Sequence, residues 1–207
     1  MVLLLAILAP MLLPKCALKG LIALLVLASF GCAGKKQVAK KPDLAMELER
    51  LAPAITALFE SKVSLPLLYF TPDSLYLYQG LLNNGFDVYL LGTEEKIAAF
   101  TTDPRFQGDI MGAMVMTSNG LKADGVNAGN MLLDRPISSM ELPYLQLVMR
   151  QGLQVLEPGG KLVLIQTKEQ SRAANKQIDQ LREGATFSRA YTDSTRSSQF
   201  DLLIFEK

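Results

Sequence analysis

The sequence predicts an α/β domain of three layers, in which helices cover both faces of a mostly parallel sheet and an antiparallel strand ends the chain. Short apolar runs alternate with segments whose apolar residues have helical spacing, and this alternation favours parallel strands connected by helices. The last two apolar runs, 185–191 and 200–205, flank a Ser/Thr-rich loop instead of a helix. That arrangement is typical of an antiparallel pair.

The first half of the domain begins at Asp43, a residue type that favours helix N-termini. Leucines recur at helical spacing after it, although Pro53 must kink or divide that helix. The elements predicted for this half are helices at 43–62, 73–84 and 94–100 and strands at 65–70, 86–91 and 110–116.

The second half contains the clearest strand, Lys161–Gln166 (KLVLIQ), which follows a tight Pro158-Gly159-Gly160 turn. The segment 124–133 is ambiguous, and we predict a strand at its start. Amphipathic helices are predicted at 141–156 and 168–183, and the closing strand pair follows them. We therefore predict one domain at 43–207.

The composition excludes several classes of function. The chain has 207 residues and a formal charge of +1, so no electrostatic feature favours nucleic acid as a partner. It has no histidine, the usual neutral-pH base and the commonest metal ligand, and no pattern of metal ligands occurs. Both cysteines, Cys16 and Cys32, lie near the N-terminus, so the domain lacks a thiol nucleophile.

Residues 1–33 have the composition of an export leader. Their only charges are Lys15 and Lys19, which precede the apolar run 21–30 and small residues around Cys32. This run is too short to span a membrane by itself. An uncleaved N-terminal anchor remains open, as does translation from Met11.

The end of this leader resembles a bacterial lipoprotein signal, which implies that Cys32 becomes the first mature residue and carries lipid. Ser29 and Phe30 depart from the usual pattern, so ordinary cleavage after Ala33 remains an alternative. The resemblance implies a lipid-anchored protein of the bacterial envelope, and Ala33 favours the outer membrane, facing the periplasm. Residues 34–42 are then a short basic tether.

The segment 152–166 (GLQVLEPGGKLVLIQ) and the terminal 200–207 (FDLLIFEK) resemble the C-terminal half of class I S-adenosylmethionine-dependent methyltransferases. Asp124-Gly125-Val126 resembles the acid-led strand that precedes the substrate loop of this family. The resemblance spans about residues 65–207 and implies a Rossmann-like methyltransferase fold. The alternative is any doubly wound α/β domain whose helix ends at a Pro-Gly-Gly turn.

The resemblance also indicates where a cofactor would bind, and there the sequence departs from the family. No glycine occurs between Val63 and Gln79, where a glycine-rich turn would let the backbone approach the cofactor. Candidate cofactor-binding residues are Asp73 in that turn, Glu94 for the ribose and Asp109 for the adenine, although each is also explained as a surface carboxylate. No catalytic residue can be named.

Two functions follow as expectations. The first is a membrane-tethered envelope lipoprotein whose methyltransferase-like domain has lost catalysis and its cofactor, and which binds an unknown protein or small molecule. The alternative is an active methyltransferase that uses S-adenosylmethionine through an atypical turn. A structural envelope component with an unrelated α/β domain is a third, weaker possibility.

Overall fold

A computed structural model describes residues 44–59, 65–70, 76–104, 112–121, 126–193 and 199–207. The predicted leader (1–33) and tether (34–42), with Cys32, lie outside these ranges, as do Asp73 and Asp109. Within these ranges, no helix has both the length and the apolar character needed to cross a membrane.

The described residues form eight strands that belong to one sheet. The strands are β1 (Leu67–Phe70), β2 (Val88–Gly92), β3 (Gly112–Thr117), β4 (Gly120–Leu121), β5 (Asn130–Asp134), β6 (Lys161–Thr167), β7 (Arg189–Asp193) and β8 (Phe200–Glu206). Their order across the sheet is β4-β3-β2-β1-β5-β6-β8-β7. Strands β1, β2, β3, β5 and β6 pair in parallel, whereas β8 is antiparallel to β6 and β7, and β4 is antiparallel to β3. The predicted sheet is confirmed.

Helices connect most of these strands. In the described part of the chain they are α1 (Leu44–Glu49), α2 (Ala52–Phe59), α3 (Tyr76–Asn83), α4 (Glu94–Thr102), α5 (Pro136–Ser139), α6 (Leu142–Val155), α7 (Lys168–Ala173) and α8 (Asn175–Gly184). In the described part of the chain, helices lie in the crossovers from β1 to β2, from β2 to β3 and from β5 to β6.

The helix predicted at 43–62 is divided, because α1 and α2 are separate helices on either side of Arg50 and Leu51. Pro53 is the second residue of α2, where its missing N–H would have had no partner within the helix. Proline thus starts the second helix after the first has ended.

The single helix predicted at 168–183 is also two helices, α7 and α8, with Ala174 between them. Ala174 N donates to Gln170 O at 2.8 Å and Ile178 N donates to Ala174 O at 3.0 Å, so hydrogen bonds continue through the break. Ala174 and Ile178 are both buried.

Alternate side chains of the strands enter two separate cores. On β6, Val163 and Ile165 belong to a first core, which includes residues of α1, α2 and α3. Leu162 and Leu164 belong to a second core, which includes residues of α6 and α8. The two cores lie on opposite faces of the sheet, because successive side chains of a strand point to opposite sides. This confirms the predicted three layers.

The Pro-Gly-Gly turn connects α6 to β6 as predicted, and it requires glycine for two different reasons. Gly159 has φ +76°, a conformation that L side chains rarely adopt. Gly160 has no room for a side chain, because a Cβ atom would lie 2.5 Å from Gly129 O. The turn also contacts the chain end, where Lys207 N donates to Gly160 O at 3.0 Å.

The strand predicted at the start of 124–133 is wrongly placed. The strand is β5, which begins at Asn130, whereas Val126 and Asn127 have no regular secondary structure. All five residues of β5 are buried, and its three central residues are apolar in succession, so the strand lacks the alternation that marks a half-exposed strand. With the strand at this position, its acidic residue is Asp134 and not Asp124.

Candidate functional site

The candidate site is the edge of the sheet at which the parallel strands end. Strands β2 and β3 lie on one side of β1, and β5 and β6 lie on the other side, so the chain reverses its direction of crossing between β1 and β5. Open α/β sheets bind ligands at this switch point, outside the carboxyl ends of the strands. The two strands are in register, with Phe70 paired to Leu133.

Two aromatic side chains fill the end of β1. Phe70 is 5% exposed and belongs to the second core, and the Lys96 ammonium lies 6.0 Å from its ring centroid. Tyr69 belongs to the first core, where its ring stacks on that of Tyr78 with a centroid distance of 6.4 Å. The last two residues of this strand therefore place large side chains on both faces of the sheet.

The end of β2 carries Glu94, one of the predicted cofactor residues. Glu94 is the first residue of α4, two positions after Gly92 ends the strand, and it is exposed. The preceding Thr93 caps the helix, with its Oγ1 accepting from Lys96 N at 3.4 Å. Glu94 thus lies at the carboxyl edge of the sheet, one strand away from Phe70.

The acidic residue of the central strand is Asp134 and not Asp124, which the resemblance indicated and which lies outside the described residues. Asp134 ends β5 at the candidate edge, directly beside the switch point. The sequence pattern that identifies it is an apolar run followed directly by an acid and then by Arg-Pro. Proline favours the first position of a helix, so the strand must end before it.

Asp134 is fully buried, and the next residue neutralises it. Arg135 donates from Nε to Asp134 Oδ1 at 2.9 Å and from Nη2 to Oδ2 at 3.1 Å, a bidentate ion pair. Charge-assisted pairs of this geometry are the strong ones. The carboxylate at the switch point is therefore balanced within the chain.

The backbone of Arg135 holds this pair in place. Its φ of +49° is left-handed, which is uncommon for a residue with a side chain. Its N–H donates to Ile165 O at 2.8 Å, and its carbonyl accepts from Ser138 Oγ at 2.9 Å and from Ser139 Oγ at 2.7 Å. Residues in such conformations persist where their surroundings fix them, and they cluster at functional sites.

Helix α6 contacts the same edge through Tyr144. Its hydroxyl donates to Thr117 O, at the end of β3, at 2.7 Å. Burial raises the pKa of Tyr144 above its usual value of 10.0, so the side chain remains a neutral donor at physiological pH.

Metal ligands are not gathered at this edge. Among the described residues, no group of three or more histidine, cysteine, aspartate or glutamate side chains is placed to hold a metal ion. In the described part of this edge, the start of α4 offers a ligand the exposed carboxylates of Glu94 and Glu95, one strand away from the buried Phe70.

Comparisons with known proteins relate the chain to others by its fold. No protein-family model matches the sequence, and no curated protein matches it. Solved structures do match. A proposed O-methyltransferase of Nostoc punctiforme PCC 73102 is similar over 79% of this chain and 56% of its own length, with 12% identity and a TM-score of 0.62.

Two further solved structures are also similar to this chain in fold. An O-methyltransferase family protein of Burkholderia thailandensis is similar over 77% of this chain and 57% of its own, with 11% identity and a TM-score of 0.54. The glycopeptide N-methyltransferase MtfA, in complex with S-adenosylmethionine, is similar over 75% and 92%, with 13% identity and a TM-score of 0.58. The chain spans little more than half the length of the first two proteins.

Proposed function

Because this chain has the fold of S-adenosylmethionine-dependent methyltransferases, we propose that it is a membrane-tethered envelope lipoprotein whose domain binds a partner without transferring a methyl group. The observation that supports the loss of catalysis is the end of β1. The strand ends in the bulky, buried side chain of Phe70, and no glycine occurs in the sequence from Val63 to Gln79.

The physical reason is the space that a nucleoside requires. In sites of this kind, a glycine-rich turn after the first strand lets the backbone approach the ligand. Pro72 in the corresponding segment has no N–H to donate. On this proposal, the edge of the sheet at the end of β1 binds a ligand or protein segment that does not need the backbone of this turn.

The ion pair at the end of β5 supports the same proposal. A strand-end carboxylate that receives a proton or holds a substrate amine must be reachable, and the Asp134 side chain is 0% exposed. Both of its oxygens accept from Arg135. On this proposal Asp134 shapes the loop after β5 and does not itself contact the ligand.

The location of the protein follows from the leader. Lipid attached to Cys32, with residues 34–42 as the tether, would hold the domain on the periplasmic side of the outer membrane. S-Adenosylmethionine is not expected there, which removes the constraint on the glycine turn. The partner is a protein or small molecule of the envelope, and no feature of the chain favours nucleic acid.

The position of Glu94 favours a second candidate, an active methyltransferase with an atypical cofactor turn. An exposed carboxylate just beyond the second strand is suitably placed to accept hydrogen bonds from ribose hydroxyls. In that case Glu94, together with Asp73 and Asp109, would hold S-adenosylmethionine.

Titration calorimetry with S-adenosylmethionine separates the two candidates. We expect no saturable heat from the full chain up to about 1 mM cofactor, because the sequence after β1 has no glycine to admit the nucleoside and Pro72 has no N–H to donate. MtfA, which binds this cofactor, is the positive control. Micromolar binding that is weakened about tenfold in Glu94→Gln would instead establish the second candidate.

Metabolic labelling with radioactive palmitate tests the anchor. In a bacterial host we expect label on the wild-type chain and none on Cys32→Ser, because lipid attaches to the thiol of the first mature residue. The matched control is Cys16→Ser, which alters the other cysteine and leaves the processing site intact. An unlabelled wild type, or a labelled Cys32→Ser variant, would refute the lipoprotein proposal.

A further inference from the structure

A polar groove lies on the side of the domain formed by α7, α8 and the last two strands. Its volume is about 380 Å³. Ser171, Arg172, Asn175, Thr192 and Asp201 contribute polar side chains to its lining. Ile178 and Leu203 give it an apolar floor, and both belong to the second core. The groove is separate from the switch point between β1 and β5.

Two opposite charges line this groove without pairing with each other. In the described part of the chain, neither Arg172 nor Asp201 forms an ion pair within 4.0 Å. The second arginine of the groove, Arg182, is occupied, since it donates from Nη2 to Thr192 Oγ1 at 2.7 Å. One guanidinium and one carboxylate therefore remain for a ligand.

Buried polar atoms beside the groove also lack partners. Within the described residues, Ser171 Oγ and both amide atoms of Gln166 are buried without a hydrogen bond. Gln166 is 0% exposed and is the cross-strand partner of Asp201. The pair two positions away, Leu164 and Leu203, lies in the second core. Because side chains alternate, Gln166 and Asp201 lie side by side on the face that lines the groove.

Leaving such an atom unsatisfied costs about 1–3 kcal/mol, and of these atoms the Ser171 hydroxyl belongs to a residue that lines the groove. We propose that the groove binds a small zwitterion of the α-amino acid class. Its carboxylate pairs with Arg172 and its ammonium pairs with Asp201. An aliphatic side chain packs on Ile178 and Leu203. This inference does not depend on the function proposed for the switch point.

Calorimetric titration of the full chain with L-leucine, N-acetyl-L-leucine and L-leucinamide tests the proposal. We expect the free amino acid to bind more than about tenfold more tightly than either blocked analogue, because each analogue lacks one charge-assisted hydrogen bond. Asp201→Asn should remove the preference over N-acetyl-L-leucine, and Arg172→Gln should remove the preference over L-leucinamide.

Matched controls are Asp87→Asn and Arg150→Gln, which neutralise exposed residues outside the groove and should leave binding unchanged. Thermal unfolding of all four variants verifies that they are folded. No heat from L-leucine at about 10 mM, equal affinity for the three compounds, or binding that neither groove substitution alters would overturn the proposal.

Discussion

Replacement of Arg135 by asparagine is expected to lower the free energy of unfolding by about 3 kcal/mol, because it leaves the Asp134 carboxylate buried without that guanidinium. Asparagine is the suitable substitute, since it tolerates the left-handed backbone conformation at φ +49°. The loss then reports the ion pair and not the backbone. Urea denaturation followed by circular dichroism measures it.

A surface pair is the control for this prediction. Arg182 Nη1 lies 3.7 Å from Asp179 Oδ1, and their side chains are 40% and 57% exposed, so Asp179→Asn should cost less than about 0.5 kcal/mol. The double variant Asp134→Asn/Arg135→Asn should lose less stability than the sum of the two single variants. An Arg135→Asn effect as small as that of the control would contradict the prediction.

Replacement of Gly160 by alanine is expected to cost about 3 kcal/mol. A Cβ atom there would lie 2.5 Å from Gly129 O and 2.8 Å from Glu157 O, and these are backbone atoms that cannot rotate away. The change would push apart the starts of β5 and β6, beside which these residues lie. The midpoint of chemical denaturation measures the loss.

The neighbouring glycine is the matched control. A Cβ atom on Gly159 would meet nothing within 4 Å, but its φ is +76°. Gly159→Ala should therefore cost only about 1 kcal/mol, the strain of a left-handed alanine. Equal losses from the two variants would show that backbone conformation, and not the close approach at Gly160, limits this turn.

The order of elements could be predicted where local chemistry determines it. The Pro158-Gly159-Gly160 turn is an example, because its local geometry requires a positive φ at Gly159, which favours glycine. The helix before the turn and the strand KLVLIQ after it also have clear sequence patterns. The division of the first helix near Pro53 was also predictable, because a proline inside a helix lacks a donor.

The central strand could not be located in the same way. Strand β5 is buried along its whole length, so its residues show no alternation, and the resemblance therefore pointed to Asp124 instead of Asp134. The importance of Asp134 depends on parallel pairing with β1, whose residues lie far away in the chain. Such pairing is a property of the assembled sheet and has no local sequence pattern.

The sequence by itself determined the fold class, the exclusion of histidine and thiol chemistry in the domain, and the absence of glycine after the first strand, because these depend on residue type and local spacing. Only the tertiary structure decided that Arg135 neutralises Asp134 and that Arg172 and Asp201 share a groove without pairing. Asp134 and Arg135 are consecutive residues, but their pairing depends on burial and on the left-handed backbone of Arg135, which the surrounding structure fixes. Arg172 and Asp201 come together because elements distant in sequence pack side by side, and an amino-acid pattern records neither arrangement.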